Sequence, residues 1–273
     1  MVKIFYRVLM VIVGLQNMNA QTHTGFKGSS DYLGGNSMHT LFYSTQFQTQ
    51  TVLTKGLELR SDLSMQHFQF TQTNTTNSNS ASLNKWSAAF QLVYQPNKVS
   101  FNLGIQPEIA PNRQNFLQWN QWLGHFKFSY EINKKKRFQL GVAYANLWGE
   151  KQLFPDLYFQ YKNAYWGLKA GFPETKLEFY RPYSTYSLQI ERKGDFFKTD
   201  KELWNATQKA QEFSITSTQV TFQLNHRFDS LFSIVIKGGY ALDLQYQFLQ
   251  EDGAMLSWKP KGSFITGIQL HIK

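Results

Sequence analysis

Leu57, Glu58, Leu59, Arg60, Ser61, Asp62, Leu63, Ser64, Met65 and Gln66 decide the fold. Leu57, Leu59, Leu63 and Met65 alternate with Glu58, Arg60, Asp62, Ser64 and Gln66. Side chains on a strand point to opposite faces in turn, so this period of two puts oil on one side and charge on the other. A helix in that register would mix them. The same alternation returns in Val99, Phe101, Leu103 and Ile105, and in Trp122, Phe126, Phe128 and Tyr130. It returns again in Phe138, Leu140, Val142 and Tyr144, in Phe232, Ile234, Ile236, Tyr240 and Leu242, and in Phe264, Ile268, Leu270 and Ile272. Repeated units of this kind predict an all-β chain.

The joints between these runs alternate in length. Short ones fall near 53–56, 95–98, 133–137, 162–164, 181–184 and 228–231. Longer or more irregular ones fall at 71–85, 110–118, 149–154, 194–212 and 249–261. Tight turns at one end and long loops at the other predict a transmembrane up-and-down antiparallel β-barrel. Trp86 with Tyr94, and Trp122 with Tyr130, bracket two strands as interfacial girdles would. Eight steps of about 3.3 Å, tilted near 40°, reach roughly 20 Å, close to the height of an apolar membrane band. The runs give thirteen strands directly, and an even number is needed for both chain ends to share one side. A strand in His23–Leu33 makes fourteen; merging Trp166–Phe172 with Thr175–Arg181 across Pro173 would make twelve, and fourteen is preferred.

Composition agrees with this reading. Of 273 residues 42% are hydrophobic, 16% aromatic and 17% charged, and there is no cysteine, so disulfides and thiolate chemistry are excluded. Lys3 and Arg7, the apolar run Val8–Leu15 and Ala20 predict a signal peptide over 1–20, ahead of a barrel domain over 21–273. Its removal leaves 26 basic and 18 acidic side chains. The expected address is the bacterial outer membrane.

The run Trp166, Gly167, Leu168, Lys169, Ala170, Gly171, Phe172, Pro173, then Leu177, Glu178, Phe179 and Tyr180, resembles an uncharacterised family of outer-membrane β-barrel proteins of Gram-negative bacteria. Phe138–Glu150 and the strand holding Gly238, Gly239 and Tyr240 are similar to it as well. The resemblance implies fold and location. That family carries no assigned activity, ligand or catalytic residue, so it implies no site.

Catalysis finds little support. A lipid hydrolase needs a Ser within hydrogen-bond reach of a His. His125 and Ser129, on one strand face, stand about 13 Å apart. A pair drawn from two strands stays open. His23, His39, His67, His226 and His271 are scattered without metal spacing. No phosphate loop or dinucleotide fingerprint is present. No enzyme, cofactor or metal site is expected.

The polar faces are the functional candidates. Glu58, Arg60, Asp62, His125, Lys127, Lys169, Lys237 and Asp243 would line a lumen if the apolar rows face lipid. They could bias the passage of small polar solutes, or pair with one another and fill the interior. Thr199, Lys201 and Glu202, ahead of Leu203, Trp204, Ala206 and Ala210, predict a short loop helix at the mouth or on the rim. Lys134, Lys135, Lys136 and Arg137 lack the aromatic interleaving of a nucleic-acid patch and suit a solvated turn beside lipid headgroups. The expected partners are outer-membrane lipid and small solutes. The expected work is passive transport or a structural membrane role, with a non-conducting assembly platform as the alternative and a secreted β-sandwich as a third.

Overall fold

The computed structural model describes residues 22–34, 38–73, 78–109, 121–199, 210–250, 252–260 and 263–273. The expected signal peptide over 1–20 and the core of the expected loop helix lie outside them. Fifteen strands follow one another: β1 (Thr22–Gly34), β2 (Met38–Thr54), β3 (Leu57–Thr73), β4 (Ser78–Tyr94), β5 (Val99–Ile109), β6 (Gln121–Asn133), β7 (Lys136–Ala145), β8 (Gln152–Lys162), β9 (Trp166–Phe172), β10 (Glu174–Tyr180), β11 (Ser184–Lys198), β12 (Ala210–Arg227), β13 (Phe232–Gln250), β14 (Met255–Trp258) and β15 (Ser263–Ile272). Every pairing is antiparallel between neighbours, and β1 and β13 both pair with β15, which closes a ring of fourteen. β14 is a short extra strand that pairs with β13 above Ala241, on the side where the β15 ladder has ended. Closure leaves no open edge through the lower barrel, which a barrel in lipid requires.

His23–Leu33 is the fourteenth strand, paired along its length with β2. β9 and β10, on either side of Pro173, pair antiparallel with each other, so two strands stand where a merged one was the alternative. The strands near the long loops outrun the sequence expectation. Residues 71–73, 78–85, 194–198 and 210–212, read above as loop, continue β3, β4, β11 and β12. The polar composition of 71–73 and 78–85 imitates a loop, yet all four segments keep a ladder to a neighbour, β3 with β4, β11 with β12 and β12 with β13.

Height explains the consequence. The 17 residues of β3 at about 3.3 Å each and a tilt near 40° rise roughly 43 Å, against an apolar band about 25 Å tall. The upper part of β3 extends beyond an apolar band of that height, and its faces exchange polarity. Going up, the inward row of β3 runs Glu58, Arg60, Asp62, Ser64, Gln66, Phe68, Phe70, while the outward row passes from Leu59, Leu63 and Met65 to His67, Gln69 and Thr71. β12 does the same: Gln223, Gln219 and Ser217 give way to Ile215 and Phe213 inside, while Phe222 and Val220 give way to Thr218, Thr216 and Ser214 outside.

The upper interior is a packed aromatic core. Phe68, Phe70, Leu83, Phe197, Phe213, Ile215, Leu244, Tyr246 and Ile265 are buried together, with Phe42 against them. Phe70 and Phe213, on β3 and β12, meet edge to face with centres 4.7 Å apart, and Phe68 meets Phe197 of β11 at 4.8 Å. The buried hydroxyls of Thr40 and Tyr246 are 2.8 Å apart. A circular fourteen-stranded barrel would be roughly 28 Å across, and two facing Phe side chains bridge about 15 Å at most. The upper barrel is therefore flattened, with β2–β4 lying against β11–β13. Below it, outward rows stay exposed to the surroundings, Leu140 and Val142 each at 52%.

Phe213→Ala should cost about 3–5 kcal/mol, since it opens a cavity in a dry core. Phe138→Ala, the same deletion on the outward face, should cost less than half as much. Guanidinium unfolding of the vesicle-folded protein measures both; equal costs would mean that the upper core contributes nothing special.

Candidate functional site: the barrel interior

The inward rows place most of the sequence-proposed lumen residues on one continuous interior surface. Glu58 accepts from Gln50 and Arg60, each at 2.9 Å, and Asp62 accepts from Gln46 at 3.1 Å. His125 is 3.0 Å from the side-chain oxygen of Asn102. Lys127 is paired with Asp156 at 2.7 Å, and Gln139 donates to the same carboxylate at 2.9 Å. Lys169 is paired with Glu174 at 2.5 Å and lies 4.6 Å from the centre of the Tyr158 ring. Lys237, on β13, reaches Asp31 of β1 at 2.6 Å, passing over Gly267 of β15. These pairs join the same or neighbouring walls and do not cross the barrel.

Asp243 departs from the row. Thr218 pairs with Leu242 but Thr216 pairs with Gln245, so β13 gains a bulge there. Asp243 takes a left-handed backbone with φ 51° and is exposed. Beyond the bulge the buried positions become Leu244, Tyr246 and Phe248, where Ala241 was the last of the odd series. A bulge reverses which parity faces inward, and sequence alternation alone cannot show it.

Water reaches the lower interior. The side chain of Arg60 is 45% exposed although it belongs to an inward row. Eight strands enclose a bore that side chains just fill; fourteen leave space for solvent.

Between this wet part and the aromatic core lies a belt that does cross the barrel. Lys85 of β4 pairs with Asp195 of β11 and is 3.8 Å from Glu108 of β5. Gln121 of β6 donates to Glu108 and, at 3.3 Å, to the backbone oxygen of Phe196. Asn146 donates to Gln121 at 3.1 Å. Lys85 and Glu108 have side chains only 7% and 3% exposed, so each depends on the other for its charge to be tolerated. Sequence reading missed both Lys85 and Asp195 because they fell inside segments taken as loops. Extending the alternation of Trp86, Ala88 and Phe90 back through Asn84 would have put Lys85 on the inward row.

The belt is completed by the segment 146–151. Above Glu191, β11 has no pairing with β10, and above Leu157, β8 has none with β9, so the seven-residue strands β9 and β10 leave a notch. Residues 146–151 cover it. A side chain at Gly194 would stand 2.0 Å from the Asn146 oxygen, so only glycine admits this approach. Gly149 sits against Ser214 and Thr216, and Trp148 stacks on Phe172 at 5.7 Å.

A cavity of about 260 Å³ lies where belt and core meet. Asp31, Lys193, Asp195 and Lys237 line its polar end, and Phe42, Phe68 and Ile265 its apolar end. Gln66 Oε1, also in its wall, is buried with no hydrogen-bond partner among the described residues.

One cross-strand Ser–His contact exists. Ser184 Oγ lies 2.9 Å from His226 Nδ1, on the outward face near the short turns. His226 packs edge-on against Phe228, and among the described residues no carboxylate is bonded to its other nitrogen. The group that would orient a catalytic imidazole is missing from this pair. Among the described residues no group of three or more His, Asp or Glu is placed to hold a metal ion.

No family model and no curated protein matches the sequence. Among solved structures the chain is similar to an outer-membrane channel from Pseudomonas putida F1, at 9% identity over 91% of this chain and 94% of that one, with a TM-score of 0.47. It is similar to a TodX monoaromatic hydrocarbon channel deletion mutant at 9% identity, 93% and 90% coverage and a TM-score of 0.44. A third is NanC porin, at 11% identity, 91% and 99% coverage and a TM-score of 0.42. What those channels carry belongs to them. The barrel assignment for this chain rests on its own strand pairing.

Lys85→Met leaves the buried Glu108 and the partly exposed Asp195 without their cation and should destabilise by about 3–5 kcal/mol. Adding Glu108→Gln and Asp195→Asn should recover at least half of the loss. Denaturant midpoints of the single and triple variants check this; a triple variant no better than the single one would refute the coupling.

Proposed function

We propose that the protein is exported through its 1–20 leader and spans the bacterial outer membrane as a conduit for small solutes that is closed at rest. The observation carrying this reading is the vertical order of the interior: a wet, charged lower part, then a cross-barrel belt, then a dry aromatic seal. An open general pore needs a continuous water column, and the seal interrupts it. A barrel serving only as a scaffold would have no need of solvent beneath the seal.

In this reading Glu58, Arg60, Asp62, His125, Lys127, Lys169 and Lys237 set the polarity of the vestibule. The 260 Å³ cavity is the position a solute occupies before the seal yields. Its two ends suit a molecule with a polar group and an apolar body. A non-conducting platform is the second reading, favoured by the Lys85–Asp195 crosslink between opposite walls.

Planar-bilayer recording separates the two. The native protein should show no steady conductance, and Phe68→Ala/Phe70→Ala/Phe213→Ala, checked for folding by the heat-modifiable gel shift, should conduct in steps. Steady ohmic current from the native protein would overturn closure at rest. A folded triple variant that stays silent would leave the platform as the better account.

A further inference from the structure

The cations of the interior and those of the short-turn rim are treated differently by the fold. Inside, Lys85, Lys127, Lys169, Lys193 and Lys237 each hold a carboxylate. At the short-turn end, every one of the six turns, taken with the strand residue on each side, carries at least one cation: Lys55, Lys98, Lys134, Lys162, Arg181 and Arg227. Two more in the third turn and the terminal Lys273 bring the ring to nine, all of them exposed. Among the described residues none of the nine is in an ion pair. Asp229 is the one acid in the same set, and its carboxylate caps its own turn by accepting from the backbone of Leu231 and Phe232, each at 2.6 Å. At the opposite end the connections, counted the same way, hold seven cations and six acids, so the asymmetry belongs to one rim.

Depth identifies what the ring meets. The same turns expose Tyr165 at 76%, Tyr183 at 65% and Phe228 at 62%, and the strand ends beside them expose Tyr94 and Tyr130. Amphipathic rings at that level settle at the headgroup boundary of a bilayer, and a rim serving a soluble acidic partner would have no use for them. Lysine and arginine at this depth extend from the apolar band into the phosphate layer.

We propose that the short-turn rim is a selective binding surface for anionic phospholipid headgroups of the leaflet it faces, with the nine cations distributed around the barrel as single headgroup contacts. This rests on the barrel spanning a bilayer and is independent of whether its interior conducts. The ring would recruit a shell of acidic lipid and hold the barrel at a fixed depth.

The test uses the full barrel folded into phosphatidylcholine vesicles carrying trace spin-labelled phosphatidylglycerol or phosphatidylcholine. Electron spin resonance reads the fraction of each probe held at the protein surface. In low salt phosphatidylglycerol should be preferred about three- to fivefold, and the preference should fall to near unity in 1 M salt, where screening acts within about 3 Å. Lys55→Gln/Lys98→Gln/Lys162→Gln/Arg181→Gln should lose most of it. Lys134→Gln/Lys135→Gln/Lys136→Gln, confined to one turn, should lose a smaller part. A held lipid population without preference, or a preference that the fourfold variant keeps, would overturn the ring alone. If neither probe were held at all, the membrane-spanning reading would fail with it.

Discussion

The structure depends on an exchange of polarity between the two faces of strands that stay paired across the level where it happens. A closed antiparallel ladder satisfies the backbone in lipid and in water alike, so nothing in the main chain forces β3 or β12 to stop at the membrane surface. What must change there is the side chains. In the lower barrel the outside is apolar and the inside wet; a few residues higher the outside is polar and the inside dry. Gln66 and Phe68 on β3, and Ser217 and Ile215 on β12, mark the crossing point on the inward face. Above it the walls can gain hydrophobic burial only by meeting each other, and the barrel flattens until Phe70 touches Phe213.

Flattening sets the remaining geometry. Two walls in contact bring β4 and β11 close enough for Lys85 to pair with Asp195, a contact that a round barrel of this strand number would not permit. Strands β9 and β10, with seven residues each, end before the crossing point, so they add nothing to the upper layer. The segment 146–151 fills the place they leave, and Gly194 is the residue whose missing side chain makes room. Seal, belt and notch cover are thus one arrangement with one cause. The vestibule beneath keeps its water because fourteen strands are too many for side chains to fill.

Much of the lower barrel was legible in the sequence. The Leu57–Gln66 alternation put Glu58, Arg60 and Asp62 on one face, and the fold places them on the inward row with Gln46 and Gln50 as partners. The preference for fourteen, with two strands around Pro173, came from parity and from keeping the 71–85 connection among the long loops. The upper barrel was not legible in the same way. Thr71, Ser80 and Ser82 carry no hydrophobic period on their exposed face, and their polar character there is what a strand above the membrane needs. A rule tuned to lipid-facing strands reads such residues as loop. Asp243 shows the other limit: one bulged residue in β13 reverses the faces beyond it without a mark in the alternation.

Sequence by itself settled the class of fold, which residues of the lower strands share a face and the basic character of the short turns, because each follows from the period of side chains along one strand or the composition of one turn. Tertiary structure alone decided that the upper walls close on each other, that Lys85 meets Asp195 and that residues 146–151 lie over β11 and β12. Those are contacts between strands far apart in the chain, and no local pattern encodes how strongly a closed sheet will flatten when its inner surface turns apolar.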